Sequence, residues 1–452
     1  MPELGLGIGL HRGGADAVLL DERSRILAHA KLACEEDERT TIGAAIRALD
    51  VTSDVEEASI GRAVLRSTAV DQALERRRGL HRVAVARVGR PLTLALPPLA
   101  TWPEPLRSAI SAGEAIVGGG AEYDGEMVAP LDGEALARFL ATLAGAAEAV
   151  AITSVFSPVA PDHELAAAEI VRRELGPAIP VSLSHEIGTM GLLERENATV
   201  LNAALSGVAE GVVDNLREAL EAEGIEADPF FAKGDGTVMT PEHAVRYPFQ
   251  MLASGPASGM RGAAWLSGVH DAAVVEVAAQ STTIGALVGG LPRERATPHE
   301  IAGVRANFRV PDLLTLPYGV DVAVEGILGA ALERVRSPDA PAALLVIGEA
   351  AELVRDHLDS VSDIIFPKHG GVAHAVGLLV APAGGEADRI CANRPGIRAT
   401  TMEAARAEAL ARAIHAGAHP DHVEIVEVQE IPLTYVLEPA VRIRARAAGP
   451  PG

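Results

Sequence analysis

Gly7-Ile8-Gly9-Leu10-His11-Arg12-Gly13-Gly14-Ala15-Asp16-Ala17-Val18-Leu19-Leu20-Asp21 is the stretch that decides the fold. Two apolar runs, Leu4 to Leu10 and Ala17 to Asp21, flank His11-Arg12-Gly13-Gly14. A glycine pair between such runs reads as strand, tight turn and strand. The pattern returns downstream, where Ala273 to Val277 and Thr283 to Val288 flank the polar turn Gln280-Ser281-Thr282 and Gly289-Gly290 closes the second strand. Two openings of one kind predict an internal duplication, although the letters match weakly.

Between the hairpins, Thr41 to Leu49 and Ala69 to Arg78 have helical spacing and Arg82 to Val88 reads as a strand. Arg90 to Pro105 is proline-rich and leads to Gly118-Gly119-Gly120 and a turn at Asp124-Gly125, which together read as a long connection or insert. Helix Asp132 to Ala146, strand Ala149 to Val155, helix Pro161 to Leu175 and strand Ile179 to Leu183 then form a β-α-β alternation that implies parallel strands. Asn197 to Glu223 is helical with a break expected near Gly207, and Lys233-Gly234-Asp235-Gly236 is a hairpin signal between Pro229 to Ala232 and Thr237 to Met239. A helix over Ala257 to Leu266, a strand over Ala342 to Ile347 followed by a helix, a helix over Met402 to Ala416, and strands at Val423 to Val428 and Ala440 to Arg444 complete the reading; the end of the chain is an Ala/Arg-rich tail.

The 452 residues suggest about three domains or two larger ones. A net charge of −22 removes the usual driving force for binding phosphate backbones, and 3% aromatic residues leave few stacking platforms, so nucleic acid is excluded as an expected partner. The least charged stretches are broken by Gly and Pro short of a spanning helix, so no membrane is expected either. The opening Met-Pro-Glu lacks the basic start of a signal peptide, and Cys34 and Cys391 read as free thiols; both point to the cytoplasm. Small molecules and protein partners remain.

The opening hairpin resembles that of the hydantoinase A / 5-oxoprolinase family, which has relatives among acetone carboxylase β-subunits. Ser67-Thr68-Ala69-Val70-Asp71-Gln72-Ala73-Leu74-Glu75-Arg76-Arg77 is similar to its G-T-T-x-x-T-N-A-L-x-E-R segment. The most specific matches are Ser157-Pro158 with Pro161-Asp162-His163-Glu164, and Pro180-Val181-Ser182-Leu183-Ser184-His185-Glu186 leading to Glu194-Arg195-Glu196-Asn197-Ala198-Thr199. Ser254-Gly255-Pro256-Ala257, Val274-Val275-Glu276-Val277 and Pro367-Lys368-His369-Gly370-Gly371 continue the resemblance in order.

The resemblance implies an α/β chain with the two-lobed actin/hexokinase-type ATPase fold and duplicated mixed-sheet domains. Its implied divisions are 1–90, the first part of the N-terminal lobe; 91–185, the connection and β-α-β part; 186–340, the second lobe; and 341–452, the part that closes the lobes. It further implies Mg-ATP held between two glycine-threonine hairpins, a small-molecule substrate such as a cyclic amide, and a second subunit or a homo-oligomer. Asp16, Ser67, Thr68, Ser281, Thr282 and Gly348 are the residues it nominates for the nucleotide.

The chain departs from the family at four nucleotide-facing places. Gly9 stands where the first loop has aspartate, so that only Asp16 survives there. The second loop, D-V-G-G-T-S-T-D-I in the family, is Glu276-Val277-Ala278-Ala279-Gln280-Ser281-Thr282-Thr283-Ile284, with both glycines alanine and the last aspartate Thr283. Thr315-Leu316-Pro317-Tyr318-Gly319-Val320 replaces a glycine-rich stretch, the segment before Val335 is shortened, and Gly348-Glu349-Ala350-Ala351 replaces G-G-A-G. A Cβ obstructs close backbone approach, and a lost carboxylate removes a magnesium anchor. The changes argue that ordinary Mg-ATP binding is weakened or lost.

His163, Glu164, His185 and Glu186 are the candidate catalytic residues, because each pair follows a strand at the edge where α/β folds place ligands. Brought together, two His-Glu pairs could relay a proton or hold a divalent metal; equally, each could cap a helix. His369 and His374 read as packing against the opposite lobe, and Arg76-Arg77-Arg78 as a solvated helix end. No Walker motif, G-x-S-x-G elbow, H-E-x-x-H or paired C-x-x-C is present. The sequence thus supports a protein that hydrolyses a cyclic amide or transforms a related small carbonyl compound, or a catalytically degenerate subunit that scaffolds an intact partner; ATP-independent chemistry in the old pocket would reconcile the two.

Overall fold

In the computed structural model, the described residues are 4–33, 37–49, 59–188, 191–278, 281–295, 299–307, 310–317, 343–352, 363–433 and 439–452. Expectations for Cys34, Ala279-Gln280, the Tyr318-to-Val335 region and the helix after Ala342 to Ile347 lie outside them.

The quoted stretch folds as read. β1 (Leu4–His11) and β2 (Gly14–Leu20) pair antiparallel around a two-residue turn, Arg12-Gly13, with Gly13 at φ +88°. β3 (Ile26–Ala33) adds to β2, and β4 (Ile60–Arg66) runs parallel to β1. The downstream hairpin repeats this arrangement. β11 (Ala272–Val277) and β12 (Ser281–Val288) pair antiparallel, β16 (Leu314–Pro317) adds to β12, and β17 (Ala343–Ile347) runs parallel to β11. The duplication that the letters carried weakly is clear in strand direction and order.

Around the first unit the described residues form a nine-stranded sheet, completed by β9 (Asp228–Ala232), β10 (Val238–Met239), β19 (Ala383–Ala392), β20 (Glu424–Leu433) and β21 (Ala440–Gly449), in the order β20-β21-β19-β10-β9-β4-β1-β2-β3. The second unit is a six-stranded sheet that also holds β13 (Leu291–Pro292) and β18 (Ile364–Ile365). A two-stranded ribbon is formed by β14 (His299–Ile301) and β15 (Val304–Ala306). The β-α-β part is a fully parallel sheet of β5 (Val83–Arg90), β6 (Ser111–Gly118), β7 (Ala149–Ser154) and β8 (Val181–Leu183), ordered β6-β5-β7-β8.

Two helices join the large sheets. Ser254–Ser267 packs on the six-stranded sheet and Ala373–Leu379 on β1 and β2 of the nine-stranded one, and they cross in backbone contact. A Cβ on Gly377 would lie 1.8 Å from the Ser258 carbonyl oxygen, so the crossing requires glycine there. Against the parallel sheet, the 31-residue helix Leu192–Ala222 buries Leu201, Leu205, Val212 and Leu216 in the main core. It runs unbroken through Gly207. That glycine serves packing, since a Cβ would meet the His81 ring at 2.4 Å.

Two further sequence readings need correction. Residues read as a connection contain the helix Glu104–Ile110 and strand β6; Ser-Ala-Gly-Glu has weak strand propensity, and the parallel partner β5 supplies the pairing. The Ala/Arg-rich tail is the long strand β21, where Ile443, Ala445 and Ala447 are buried and Arg442, Arg444 and Arg446 alternate to the other face. Among the described residues no helix is long and apolar enough to cross a membrane.

Candidate functional site

Parallel β7 and β8 are neighbours, so their C-terminal ends stand side by side and the loops after them converge. β7 leads to the helix Asp162–Leu175, and β8 runs straight into the one-turn helix Ser184–Ile187. This brings Glu164 from the first loop against His185 from the second. The two residues sit in different motifs, so the close pairing is across the tripeptides and not within either.

Glu164 is completely buried and accepts four hydrogen bonds. Oε1 accepts from the Ser154 amide at 2.7 Å and from the Ser184 hydroxyl, and Oε2 from the His185 amide at 3.0 Å and from ring Nδ1 of His185 at 2.6 Å. Arg195 closes the network, donating from Nε to Ser184 Oγ at 3.0 Å and from Nη2 to the Ser154 carbonyl at 2.6 Å. Burial pushes the Glu164 carboxyl up, but the His185 hydrogen bond and charge, with Arg195 and Ser184, outweigh it and hold the group below the usual carboxylate range. A carboxylate only accepts, so Nδ1 of His185 carries the hydrogen of that bond, and in the neutral form of the ring the lone pair is on Nε2.

His163 and Glu186 are turned elsewhere. His163 accepts the Gly120 amide proton at Nδ1, 3.0 Å away, and burial lowers its pKa; it supports the glycine turn, where Gly119 and Gly120 have φ of +131° and +106°. Glu186 accepts from Arg246 Nη2 at 2.7 Å and from the Tyr247 hydroxyl at 3.2 Å. Among the described residues no group of three or more His, Cys, Asp or Glu side chains is placed to hold a metal ion.

His185 lines a cavity of about 330 Å³ between these loops and the face of β19 and β21. Ser157, Glu186 and Tyr247 share its near wall, and Arg442, Arg444 and Arg446 its far wall. Lys233 and Asp235, read from sequence only as a hairpin turn, line it too: Lys233 Nζ donates to the Gly384 carbonyl at 3.1 Å and stands 3.4 Å from Asp235 Oδ2. Burial would raise the Asp235 carboxyl, but Lys233 and Arg446 hold it below its usual range. His243, also on the lining, is pushed down to about 3 by burial and by Lys233, so it is neutral, with Nε2 3.2 Å from Gln250 Oε1. Nothing in the local sequence marked Lys233, His243 or Tyr247; their roles arise where distant strands meet.

The residues nominated for a nucleotide lie between the two hairpin units. Asp16 is buried on β2 beside Gly9, its Oδ2 accepting from the Ala375 amide at 3.3 Å and its Oδ1 3.7 Å from His11 Nε2. Ser67 donates to the Glu38 carboxyl and accepts from the Ala69 amide at 3.0 Å, while Thr68 Oγ1 accepts from Gln72 Nε2 at 2.8 Å. Ser281 and Thr282 stand half-buried on β12 opposite Pro317 and Leu316. Gly348, at φ +102°, packs so tightly that a Cβ would lie 2.3 Å from the Val277 carbonyl oxygen. Glu276 at the end of β11 accepts from His374 Nε2 at 2.6 Å. Both carboxylates are held here by histidine or backbone donors, and the hydroxyls of Ser67 and Thr68 are engaged locally.

Two antiparallel hairpins, each extended by a parallel strand and joined by two crossing helices, define a two-lobed α/β protein of the actin/hexokinase type. Solved structures share that fold. An ATP-dependent caprolactamase from Pseudomonas jessenii superposes with a TM-score of 0.78 at 15% identity, covering 98% of this chain and 87% of that one. A nucleotide-free acetone carboxylase, from a study of ATP-dependent acetone carboxylation, gives 0.69 at 13% identity, covering 100% and 88%. Residues 7–175 match the family model for the hydantoinase/oxoprolinase N-terminal region, and residues 195–335 that for hydantoinase/oxoprolinase. The chain belongs to the hydantoinase/oxoprolinase family. An uncharacterized protein of Methanocaldococcus jannaschii is 27% identical over 148 residues, which is 32% of this chain and 22% of that protein's length.

Proposed function

We propose that this chain is a cytoplasmic enzyme that hydrolyses the ring amide of a small cyclic substrate, a hydantoin, an oxoproline or a related carbonyl compound, in the cavity beside His185. The observation that carries the reading is the Glu164–His185 dyad, a buried carboxylate that fixes a histidine with its other nitrogen free on the edge of a polar cavity. Nε2 of His185 takes a proton from water; the resulting hydroxide adds to the amide carbon; the ring C–N bond breaks as the same proton passes to the departing nitrogen. The products are an open-chain carboxylate and a free nitrogen group, and no oxidant or nucleotide enters the balance. Glu164 holds the ring orientation and stabilises its charged form. Lys233 and the arginines of β21 line the space in which the carbonyl oxygen gathers charge.

The test is turnover of a panel of hydantoins, 5-oxoproline and lactams, followed as open-chain product. His185→Ala is expected to lower kcat roughly 10²- to 10⁴-fold while the circular dichroism stays that of the wild type. Full activity in that variant would overturn the dyad's role. A second reading, a degenerate subunit that scaffolds or regulates an intact partner, is favoured by the altered interlobe residues; it predicts no turnover alone and recovery of a partner chain by pull-down.

A further inference from the structure

Ionisable side chains that the cavity chemistry does not use meet where the two large sheets face each other. Arg66 ends β4, Gly9 lies beside it on β1, and Asp16 lies beside Gly9 on β2, since the register pairs Gly9 with both. Side chains across such a row share one face of the sheet. From the opposite sheet comes Glu276 of β11, bound by His374 on the helix Ala373–Leu379. That helix therefore grips both carboxylates, Asp16 through the Ala375 amide and Glu276 through the His374 ring.

Arg66 donates from Nη1 to the Leu10 carbonyl and packs over the N-terminus of the helix Ser254–Ser267, where a Cβ on Gly255 would stand 2.4 Å from Nη2. A helix N-terminus ordinarily favours an anion, and here it faces a guanidinium. For Glu276, burial acts to raise the pKa, but His374, Arg66 and His11 outweigh it and hold the group ionised. Burial opposes the charge on His374, and Glu276 with Asp16 outweighs burial, so its pKa is raised. Glu276 of one sheet is thus paired with His374 on a helix that packs against the other, with Asp16 held by the same helix and the Arg66 guanidinium over the neighbouring helix start.

We propose that the Glu276–His374 pair, with Asp16 held by the Ala375 amide of the same helix, forms a built-in brace between the lobes, standing where a two-lobed ATPase would hold its magnesium nucleotide, so that this chain stays closed without a nucleotide and binds no Mg-ATP there. A triphosphate and its magnesium entering this space would meet two carboxylates already committed to protein donors, and the metal would have to separate Glu276 from His374 and Asp16 from the Ala375 amide first. The brace is independent of the cavity beside His185, and its test does not depend on turnover.

The experiment is a calorimetric titration of the wild-type chain with Mg-ATP and a non-hydrolysable analogue, paired with melting curves in the presence and absence of each. No saturable heat and a midpoint moved by less than about 1 °C at millimolar nucleotide are expected; a ligand of roughly 10 μM Kd at about 1 mM would shift it by several degrees. Glu276→Gln, His374→Ala and the double variant are then melted and measured by small-angle scattering. Each single change is expected to lower the midpoint and enlarge the radius of gyration, with the double no worse than the poorer single. A saturable micromolar isotherm overturns the proposal whatever the variants do, and so do strictly additive variants with an unchanged radius.

Discussion

Replacing Glu164 by glutamine keeps the shape of the side chain and removes one acceptor atom, and the geometry sets what that costs. The wild-type carboxylate serves four donors: the Ser154 amide, the Ser184 hydroxyl, the His185 amide and His185 Nδ1. A glutamine can serve the donors on one side only. With its NH₂ turned to His185, the ring can shift its proton to Nε2 and accept at Nδ1, but the His185 amide is left without an acceptor. An orphaned buried donor costs about 1–3 kcal/mol, and losing one member of a buried charged network about 3–5 kcal/mol, so a total near 3–5 kcal/mol is expected. The tautomer shift also puts a proton where the lone pair is needed, so kcat should fall with stability, by roughly 10²-fold or more. The sign with pH follows from the depressed pKa of Glu164: its stabilisation is fully present above the ordinary value near 4.5 and is lost as pH falls through the folded value. Denaturant melts of the two proteins at pH 7 and about pH 4 measure this. A deficit that is absent at pH 7, or that does not shrink at the lower pH, would refute the reasoning.

Gly377→Ala places a methyl within 1.8 Å of the Ser258 carbonyl oxygen, so the crossing helices must separate; a loss of roughly 1–3 kcal/mol or more is expected in a denaturant melt. Glu196 accepts two of the three guanidinium hydrogen bonds of the fully buried Arg87, at 2.6 Å each, and the third goes to the Leu96 carbonyl. Glu196→Ala strands that cation and should cost about 3–5 kcal/mol, whereas a paired apolar replacement of Arg87 and Glu196 should recover much of the loss in the same melt.

How much was legible in the sequence differs by level. The hairpins at Gly7 to Asp21 and Ala273 to Val288, the β-α-β alternation and the Lys233-to-Gly236 turn were all readable, because strand, turn and helix periodicities are set by neighbours along the chain. Helix Glu104–Ile110 and β6 were not, since small residues take their pairing from β5 and carry little preference of their own. The site divides in the same way. Strand ends located Glu164 and His185, but their pairing across two loops, the separation of His163 and Glu186 from them, and the arrival of Lys233, His243 and β21 at one cavity depend on which strands lie side by side.

By itself, then, the sequence determined the hairpin units, their order and the positions where the family pattern is altered, since all of these are properties of residues close together in the chain. Only the tertiary structure decided what the alterations became. Arg66, Asp16, Glu276 and His374 span more than 350 residues of sequence, and it takes two sheets and a helix packed between them to bring their charges into one cluster. Electrostatic and hydrogen-bond energies fall off with distance in space, and distance in space is what packing sets.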